Sequence, residues 1–556
     1  MMLALTGPAL AIERASEPAA PASPIDTGYE ERVTVQLVQI NFIAVDKSGR
    51  PVVDLKPEEI EIIHGRERQT VAFLQPYYQP LAEEAPYESA PQGAGGRPEP
   101  TPAQGTAPTL RPDTTTRRWF LLVFDNYLTS PRTRLESIEA ARSFVSQKLG
   151  PLDRVGIAVF DGTLQVLQNY TSDQSKLLGA LTRALQFTEH AAEDRSRAVK
   201  GLVDSMEHCA TAVDAPSRPL CAQRIVDDYE NTRVREADAL ATAVVTLLRS
   251  SRAIPDPKAV ILFSEGFPQD PGQDARDAAE AAMGSEVSRY VSSRNRHTMR
   301  EKIDAIVVAA AETKASFFTI NPGGASRLTT ISAANGRFAD NRTNVIQVDP
   351  YRTAELNAQN SLSDVATRTG GVALQGADVR RELERIDALS PALYTVGYYP
   401  TLKALLDDRR EARIRILRKG VRAEYRREAG PLRDAPPLVG SLEVEPESCG
   451  ADGRRNVVVR LRLDRSSLTF SRQKKSVTAN FSVYTRFVPA GRVVATSDDY
   501  RFFNISNTGE EHASGEIPNP VIEQRFALPC AAVTIHVTAS DGTSGAIGDF
   551  SGSVGP

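Results

Sequence analysis

Three residues with side-chain oxygen atoms follow apolar segments of the chain, and their types are those that bind hard cations. Asp125 ends the apolar run WFLLVF, Thr129 lies four positions later, and Glu265 follows a second apolar run, AVILF. Carboxylate and hydroxyl oxygens are the ligands that Mg²⁺ prefers in proteins. If the fold brings the two runs side by side, Asp125, Thr129 and Glu265 form a candidate divalent-cation site.

The same side chains allow an interpretation without a metal. Asp125 and Glu265 could accept hydrogen bonds from backbone amides of their loops, or cap the helices that follow them. The residues alone leave two outcomes open: no cofactor, or Mg²⁺ or another divalent cation.

The apolar runs that precede these residues predict strands of a parallel sheet, because a short unbroken run is typical of a strand buried on both faces. Similar runs end at Asp161 and at Ile320, with helical spacing between the runs. The segment TLQVLQNYTSD follows Asp161 almost at once, which predicts one antiparallel edge strand. We therefore predict an α/β fold with a doubly wound, mostly parallel sheet. Ligand sites of such sheets lie at the carboxyl ends of the strands.

Composition divides the 556 residues into several segments, because a chain of this length does not form a single hydrophobic core. Alternating apolar and polar residues predict strands near both ends, and a stretch rich in Pro, Gly and Ala predicts disorder. The predicted segments are a signal-like flexible leader (1–30), an N-terminal β module (31–78), a disordered linker (79–116), the α/β domain (117–392) with a helical insertion at about 188–236, strands that are candidates to pair with the N-terminal module (393–429), and a C-terminal β-sandwich (438–550).

Four cysteines lie in two separate regions of the chain. Neither pair has the CxxC spacing of a zinc or redox site, and an even number favours disulfides formed in an oxidising compartment. The apolar first residues end in Ala-Leu-Ala, a pattern typical of a secretory signal. We therefore expect an extracytoplasmic protein (periplasmic, secreted or at the cell surface) with the disulfides Cys209–Cys221 and Cys449–Cys530. Four unrelated buried thiols are the alternative.

Charge and motifs argue against several other classes of protein. The formal net charge of −4 gives no indication of a nucleic-acid partner. No apolar run approaches the roughly 20 residues that a membrane-spanning helix needs. The chain has no GxSxG, Walker or HExxH motif, and these motifs mark common nucleophile, phosphate and zinc sites. We therefore expect no enzymatic activity.

Four segments of the chain resemble, in the same order, parts of one known family. They are DKSGRPVVDLKPEEIEI, FLLVFDNYLTS, KAVILFSEGF and a strand containing GYYP that precedes a basic hairpin. Residues Arg117 to Leu389 resemble a von Willebrand factor type A (VWA) domain. More narrowly, Val33 to Arg427 are similar to the von Willebrand factor A-related proteins of Acidobacteria. The resemblance implies a Rossmann-like core that presents its loops to a protein partner.

VWA domains bind a cation at a metal-ion-dependent adhesion site, whose first loop has the pattern Asp-x-Ser-x-Ser. By resemblance, Asp125 matches the first position, Thr129 stands at the second serine, and Glu265 stands at the aspartate of the third loop. Tyr127 replaces the first serine, and a phenol does not place a short oxygen on the same ion. The resemblance therefore implies a remodelled, degenerate site on Asp125, Thr129 and Glu265.

The threonine of the second loop is the remaining ligand of that site in the family. Alignment places Val234 there, although Thr232 is close by. Loss of hydroxyl ligands favours the interpretation without a metal, because Mg²⁺ requires nearly octahedral oxygen coordination.

The function that we expect is that of an exported, non-catalytic VWA-domain protein that binds a protein partner through the carboxyl edge of its central sheet. Tyr127 and Phe267 lie on neighbouring predicted loops and are candidates for an exposed aromatic interface; folding of both rings onto the core is the alternative. Two other functions stay open, namely a metal-dependent adhesion protein with Mg²⁺ in the remodelled site and an enzyme with an unrecognised site.

Overall fold

A computed structural model describes most of the chain after residue 36. The described residues are 37–77, 79–80, 116–187, 195–285, 287–291, 296–324, 349–376, 378–401, 404, 412–425, 436–473, 476–490, 497–507 and 519–555. The predicted leader at 1–30 and nearly all of the predicted linker at 79–116 lie outside them. Residues Gln36–Pro556 form one compact unit.

The described chain begins with short strands whose apolar residues alternate with polar ones. In the first strand, Val38, Ile40 and Phe42 are buried while the residues between them are partly exposed, as expected for a strand with one face on a core. The strands are β1 (Val38–Asp46), β2 (Ile60–His64), β3 (Glu67–Gln69) and β4 (Val71–Pro76), followed by the short pair β5 (Gln79–Pro80) and β6 (Thr116–Arg117).

A mostly parallel sheet forms the centre of the molecule. Its strands are β7 (Trp119–Asp125), β8 (Arg154–Phe160), β9 (Leu164–Thr171), β10 (Lys258–Phe263), β11 (Ala315–Ile320) and β12 (Ala373–Leu374). They lie in the order β12-β11-β10-β7-β8-β9, and neighbours are parallel except β8 and β9. Only a short turn joins β8 to β9, which requires antiparallel pairing. The structure confirms a mixed α/β fold with a mostly parallel central sheet.

Helices cover both faces of this sheet, which explains the unbroken apolar runs. The helices are α1 (Pro131–Gln147), α2 (Gln174–Ala184), α3 (Arg195–Ala212), α4 (Arg218–Ser250), α5 (Gln273–Met283), α6 (Arg296–Glu312), α7 (Pro350–Arg368) and α8 (Val379–Leu389). In β7, Phe120, Leu122 and Phe124 pack on the side of α1, α2 and α8. The residues between them pack on the side of α4, α6 and α7, because successive side chains of a strand point to opposite faces.

The described part of the predicted helical insertion at about 188–236 is helical, but no break marks the end of the insertion. Helix α4 is a single helix of 33 residues that crosses the predicted boundary at Ala237. Its one proline, Pro219, lies in the first turn, where proline is tolerated. No glycine or proline interrupts the chain from there to Ser250, so nothing in the sequence ends the helix early.

Strands that follow the α/β domain complete the N-terminal sheets. They are β13 (Leu393–Tyr398), β14 (Ala412–Ile416) and β15 (Val421–Glu424). One sheet has the order β15-β1-β13-β4 and another has the order β14-β2-β3. The rings of Phe42 on β1 and Tyr394 on β13 stack with centroids 5.4 Å apart. We call β1–β4 with β13–β15 the N-terminal module.

The last part of the chain forms two antiparallel sheets, which we call the C-terminal module. Its strands are β16 (Gly440–Pro446), β17 (Arg454–Leu463), β18 (Ser471–Gln473), β19 (Ser476–Pro489), β20 (Ser497–Asn507), β21 (Val521–Pro529), β22 (Val533–Asp541) and β23 (Ile547–Val554). One sheet is β16-β17-β21, and the other is β18-β19-β22-β23 with β20 also paired to β19. Apolar residues from both sheets share one buried cluster, including Val459, Phe481 and Ile535.

Two disulfides stabilise separate parts of this architecture. Cys209 near the end of α3 is bonded to Cys221 near the start of α4. Cys449 before β17 is bonded to Cys530 after β21. The Cα atoms of the two pairs are 5.9 and 6.0 Å apart, which is the usual range for disulfides. This is the pairing that the sequence predicts.

The C-terminal module contacts the edge of the central sheet where its parallel strands begin. Asp498 on β20 accepts hydrogen bonds from Arg117 (2.6 Å), just before β7, and from Arg154 (3.0 Å), the first residue of β8. The Ser250 carbonyl at the end of α4 accepts hydrogen bonds from Ser540 (2.7 Å) and Tyr500 (3.2 Å). The module is therefore attached at the amino edge of the sheet through buried polar contacts.

The N-terminal module contacts the same edge at β11. The Asn41 side chain donates a hydrogen bond to the Ala315 carbonyl (3.1 Å), and the Lys314 ammonium donates one to Gln75 (2.9 Å). Both modules thus pack against the amino ends of the central strands, whereas the carboxyl ends lie at the opposite edge.

We predict that Asp498→Asn destabilises the protein by about 3 kcal/mol, because it leaves two partly buried arginines without their shared carboxylate. The free energy of unfolding in urea measures this effect. Asp499→Asn is the matched control: its side chain is 33% exposed and pairs with exposed Arg501, so it should change stability by less than about 1 kcal/mol. Equal effects of the two substitutions would contradict the attachment through Asp498.

Candidate functional site

The two acidic residues of the candidate site follow adjacent strands. Strands β7 and β10 are parallel neighbours in which Phe124 lies opposite Phe263, and their rings stack with centroids 4.6 Å apart. Asp125 is the last residue of β7, and Glu265 comes two residues after β10. The strand pairing therefore brings Asp125 and Glu265 to the same edge of the sheet.

Both carboxylate oxygens of Asp125 accept hydrogen bonds from the surrounding loops. Oδ1 accepts from the amides of Tyr127 (3.2 Å) and Leu128 (2.9 Å). Oδ2 accepts from the Ser264 hydroxyl (2.6 Å), which in turn accepts from the amide of Gly266 (2.9 Å). Asp125 is 1% exposed. The Asp125 carboxylate therefore links the loop after β7 to the loop after β10 through hydrogen bonds.

Glu265 makes a similar set of contacts with the start of α1. Its Oε1 accepts from the Ser130 amide (3.3 Å), the Ser130 hydroxyl (2.9 Å) and the Thr133 hydroxyl (2.6 Å). The Glu265 amide donates to the Thr129 hydroxyl (3.4 Å). A carboxylate is favourable at this position because the amino end of a helix carries partial positive charge. Glu265 thus caps α1 from a distant part of the chain.

A buried arginine, Arg134, lies beside these two acids. It is 6% exposed, and its Nη2 donates to the Thr129 carbonyl (2.9 Å). Burial lowers the pKa of the Arg134 guanidinium, while the negative charges of Asp125 and Glu265 oppose that shift. Its Nε is buried and has no hydrogen-bond partner among the described residues. The positively charged guanidinium of Arg134 thus lies in the region that the sequence predicts as a cation site.

Sequence reasoning missed Arg134, although one signal could have revealed it. Arg134 lies in the first turn of α1, where a positive charge interacts unfavourably with the helix dipole. An arginine at this position is explained if nearby carboxylates offset that cost.

The second-loop position of a VWA site has no counterpart loop in this structure. Thr232 and Val234 both lie within α4. The Thr232 hydroxyl donates to the Asp228 carbonyl of the same helix (3.0 Å). Neither residue joins the acids at the sheet edge, because α4 continues through the segment where a loop would be needed.

The predicted aromatic interface of Tyr127 and Phe267 does not form as an exposed pair. The Tyr127 ring is partly buried and packs edge-on against Phe160, with centroids 5.7 Å apart. Phe267 is only 1% exposed, which corrects the expectation that it lies on the surface. The chain turns inward at Gly266, whose φ is 84° and whose added Cβ would lie 2.3 Å from the Ala358 carbonyl oxygen.

The residues at this edge do not fit an open Mg²⁺ site. Asp125, Thr129 and Glu265 are each at most 5% exposed. Protein donors already use both carboxylate oxygens of Asp125, Oε1 of Glu265 and the hydroxyl of Thr129. Mg²⁺ needs nearly octahedral oxygen ligands, and a positive guanidinium is a neighbour that repels it. Within the described residues, no group of three His, Cys, Asp or Glu side chains could hold a metal ion.

A small cavity next to this edge is lined by another buried acid, Asp274. Leu128, Gly266 and Asp274 are among its lining residues. The Tyr229 hydroxyl donates to Asp274 Oδ2 (2.5 Å), and the Arg233 guanidinium lies 5.3 Å from the centre of the Tyr229 ring. Burial raises the pKa of Asp274 to about 6, although the Tyr229 hydrogen bond and Arg233 oppose this shift.

Comparisons with known proteins give distant likenesses. No protein-family model matches the chain, and no curated protein matches it in sequence. The chain is similar to an aerotolerance-related membrane protein from Bacteroides fragilis, with 11% identity over 49% of this chain and 97% of the other, and a TM-score of 0.22. It is similar to the von Willebrand factor domain of the type V pili tip protein Mfa5 from Porphyromonas gingivalis, with 12% identity over 48% and 93%, and a TM-score of 0.22.

A third likeness is to the manganese-loaded TRAP protein of Plasmodium vivax, with 9% identity over 70% of this chain and 92% of the other, and a TM-score of 0.19. The structural neighbours thus include proteins with von Willebrand factor domains, but TM-scores of this size carry no argument about function. In the described part of the chain, no helix is long and apolar enough to cross a membrane.

We predict that the titration of Asp274 lowers the free energy of unfolding as the pH rises from about 4 to about 6. Its folded pKa of about 6 lies above the unfolded value, so the folded state binds more protons across this window. The loss amounts to about 3 kcal/mol, since each pKa unit corresponds to about 1.4 kcal/mol. Asp274→Asn, which keeps an acceptor for Tyr229, should remove the fall in urea-unfolding free energy.

Asp228→Asn provides the control, because Asp228 lies on α4 and is exposed. It should leave the pH dependence of wild type in place. An unchanged pH dependence in Asp274→Asn would show that Asp274 titrates normally in the folded protein.

Proposed function

We propose that this chain is an exported, non-catalytic protein that binds a protein partner through the carboxyl edge of its central sheet. The observation that carries the proposal is the attachment of both β modules to the opposite edge, through Asp498 and through Asn41. This arrangement holds the modules away from the loops that follow β7 and β10. Loops on a rigid α/β scaffold are the usual place for recognition.

The surface in question consists of the exposed side chains in the segments 127–136 and 266–270, which we call the carboxyl-edge surface. The buried network of Asp125 and Glu265 fixes its two loops from below. Leu135, which is 44% exposed, and Arg132, whose side chain is 86% exposed, lie at its outer side. A pre-organised surface loses less entropy when it binds, which favours recognition of a folded partner.

A non-catalytic role is supported by the burial and the hydrogen bonds of the two acidic residues at the carboxyl edge. Asp125 and Glu265 accept hydrogen bonds within the protein and are nearly inaccessible. A general base must reach the proton that it removes from a substrate. The sequence adds no recognisable nucleophile motif.

An extracytoplasmic location is supported by the two disulfides, because such bonds persist in oxidising compartments. Cys209–Cys221 joins two helices and Cys449–Cys530 joins the ends of two paired strands. The signal-like first residues, which lie outside the described residues, agree with export.

We predict that the purified protein captures a partner from the native envelope fraction. Leu135→Asp should lower this capture at least about tenfold, because it replaces an exposed apolar side chain of the proposed interface by a charge. Quantitative mass spectrometry of immobilised variants measures this effect. EDTA should not change capture, because the proposed interface contains no metal.

Val521→Asp is the matched control, since Val521 is 53% exposed in the C-terminal module, far from the proposed surface in the fold. It should capture as wild type does. Equal losses in both variants would refute binding through the carboxyl edge, and a loss of capture in EDTA would favour the metal-dependent adhesion protein.

A further inference from the structure

A groove lies where the N-terminal module meets the end of α6, and hydrogen-bond donors converge on it. Its lining residues are Gln39, Phe73, Leu74, Gln75, Pro76 and Lys314. Its volume is about 360 Å³, which lies within the usual range of about 300 to 1,000 Å³ for small-molecule sites. Among these described residues, Lys314 carries the only charge. The groove therefore has a positive charge that no lining acid offsets.

Strand pairing places an aromatic ring and two carboxamides on one face of the N-terminal sheet. Gln39 on β1 lies opposite Gly397 on β13, which in turn lies opposite Phe73 on β4. A Cβ atom added to Gly397 would lie 2.1 Å from the Phe73 ring, so the glycine lets this ring lie across β13. Gln75 comes two residues after Phe73 and therefore points to the same face. These side chains form one wall of the groove.

Lys314 reaches the groove from the turn between α6 and β11, and its backbone conformation is unusual for a lysine. Its φ is 52°, the one positive φ outside glycine in the described part of the chain. Glycine adopts this left-handed conformation more easily than a residue with a Cβ atom, and such positions often occur at ligand sites. The Lys314 ammonium donates to Gln75 Oε1 (2.9 Å) and lies 5.9 Å from the centre of the Phe73 ring.

Several donors at the groove have no acceptor within the described residues. The Lys314 ammonium has three N–H groups, and its side chain makes only the hydrogen bond to Gln75. In the same part of the chain, the Gln39 side chain makes no hydrogen bond and the Gln75 side chain donates none. By contrast, Asn41 on the same face of β1 uses both polar atoms of its side chain within the protein. Free donors at an open groove favour a ligand that supplies acceptors.

The ammonium of Lys314 is partly buried, which favours an anionic ligand over a neutral one. Burial lowers the pKa of this group, while the negative charge of Asp256 opposes the shift. Within the described residues, Lys314 forms no ion pair with a carboxylate. Charge-assisted hydrogen bonds are roughly twice as strong as neutral ones. A carboxylate is therefore the acceptor that suits this position best.

We propose that this groove binds an organic carboxylate whose apolar part packs against the Phe73 ring. The carboxylate accepts hydrogen bonds from Lys314 and from the side-chain amides of Gln39 and Gln75. A small free acid and the C-terminal residue of a peptide both present this chemistry. The groove lies at the amino edge of the central sheet, so this inference does not depend on binding through the carboxyl-edge surface.

Ligand titrations of the full chain test the need for a negative charge. Phenylacetate is the probe, and phenylacetamide has nearly the same shape without the charge. Saturation-transfer NMR should detect phenylacetate with a millimolar dissociation constant. Phenylacetamide should bind at least about tenfold more weakly, because a hydrogen bond to a charged group is stronger than one between neutral groups.

A substitution at Lys314 tests the assigned donor. Lys314→Gly removes the ammonium but suits the left-handed backbone, so it should fold and melt close to wild type. It should bind phenylacetate at least about tenfold more weakly. Lys302→Ala is the control, because Lys302 lies on α6, pairs with Asp238 (2.5 Å) and does not line the groove. It should bind phenylacetate as wild type does.

The tripeptide Gly-Gly-Phe, with a free C-terminal carboxylate or with a C-terminal amide, separates the two sources of the ligand. Tighter binding of the free tripeptide than of phenylacetate supports a peptide C-terminus, and weaker binding supports a small acid. The proposal is overturned if neither carboxylate binds at millimolar concentrations, if acids and amides bind equally, or if Lys314→Gly binds phenylacetate like wild type. None of these outcomes bears on the capture of a partner through the carboxyl edge.

Discussion

The free-energy cost of burying two carboxylates at neighbouring strand ends is the constraint on which this structure depends. A carboxylate that leaves water needs several donors and a compensating charge. Asp125 and Glu265 obtain donors from the loop after β7, from the start of α1 and from Ser264. The loops consequently have little freedom, because any movement would leave a buried charge without hydrogen bonds. Rigidity at this edge is a direct result of its chemistry.

Much of this arrangement could be predicted from the sequence, and the reason is physical. Strands buried on both faces produce unbroken apolar runs, so β7 and β10 were visible as WFLLVF and AVILF. Parallel neighbours end at one edge, which is why Asp125 and Glu265 could be placed together. The parts that escaped prediction depend on long-range packing. In the sequence, nothing distinguishes Arg134 clearly from the other polar residues of an amphipathic helix. Phe267 is turned inward where Gly266 contacts Ala358 of α7, 92 positions later in the chain.

The two edges of the central sheet differ, because both modules contact only one of them. One edge of the central sheet is joined to them by buried charges and carbonyls, including Asp498 and Ser250. The other edge carries the hydrogen-bond network of Asp125 and Glu265. The C-terminal module is connected through groups that are costly to separate once buried, and it belongs to the same compact unit as the α/β domain.

The pairing of β1 with β13 has a consequence for how the chain is made. Position 38 on β1 pairs with position 398 on β13, and the whole α/β domain lies between them. As the polypeptide leaves the ribosome, the backbone edge of β1 that pairs with β13 therefore stays open until β13 has been synthesised. An apolar strand with a free edge tends to associate with other chains. A chaperone that shields this first strand would consequently matter more to the yield of native protein than one that acts on the end of the chain.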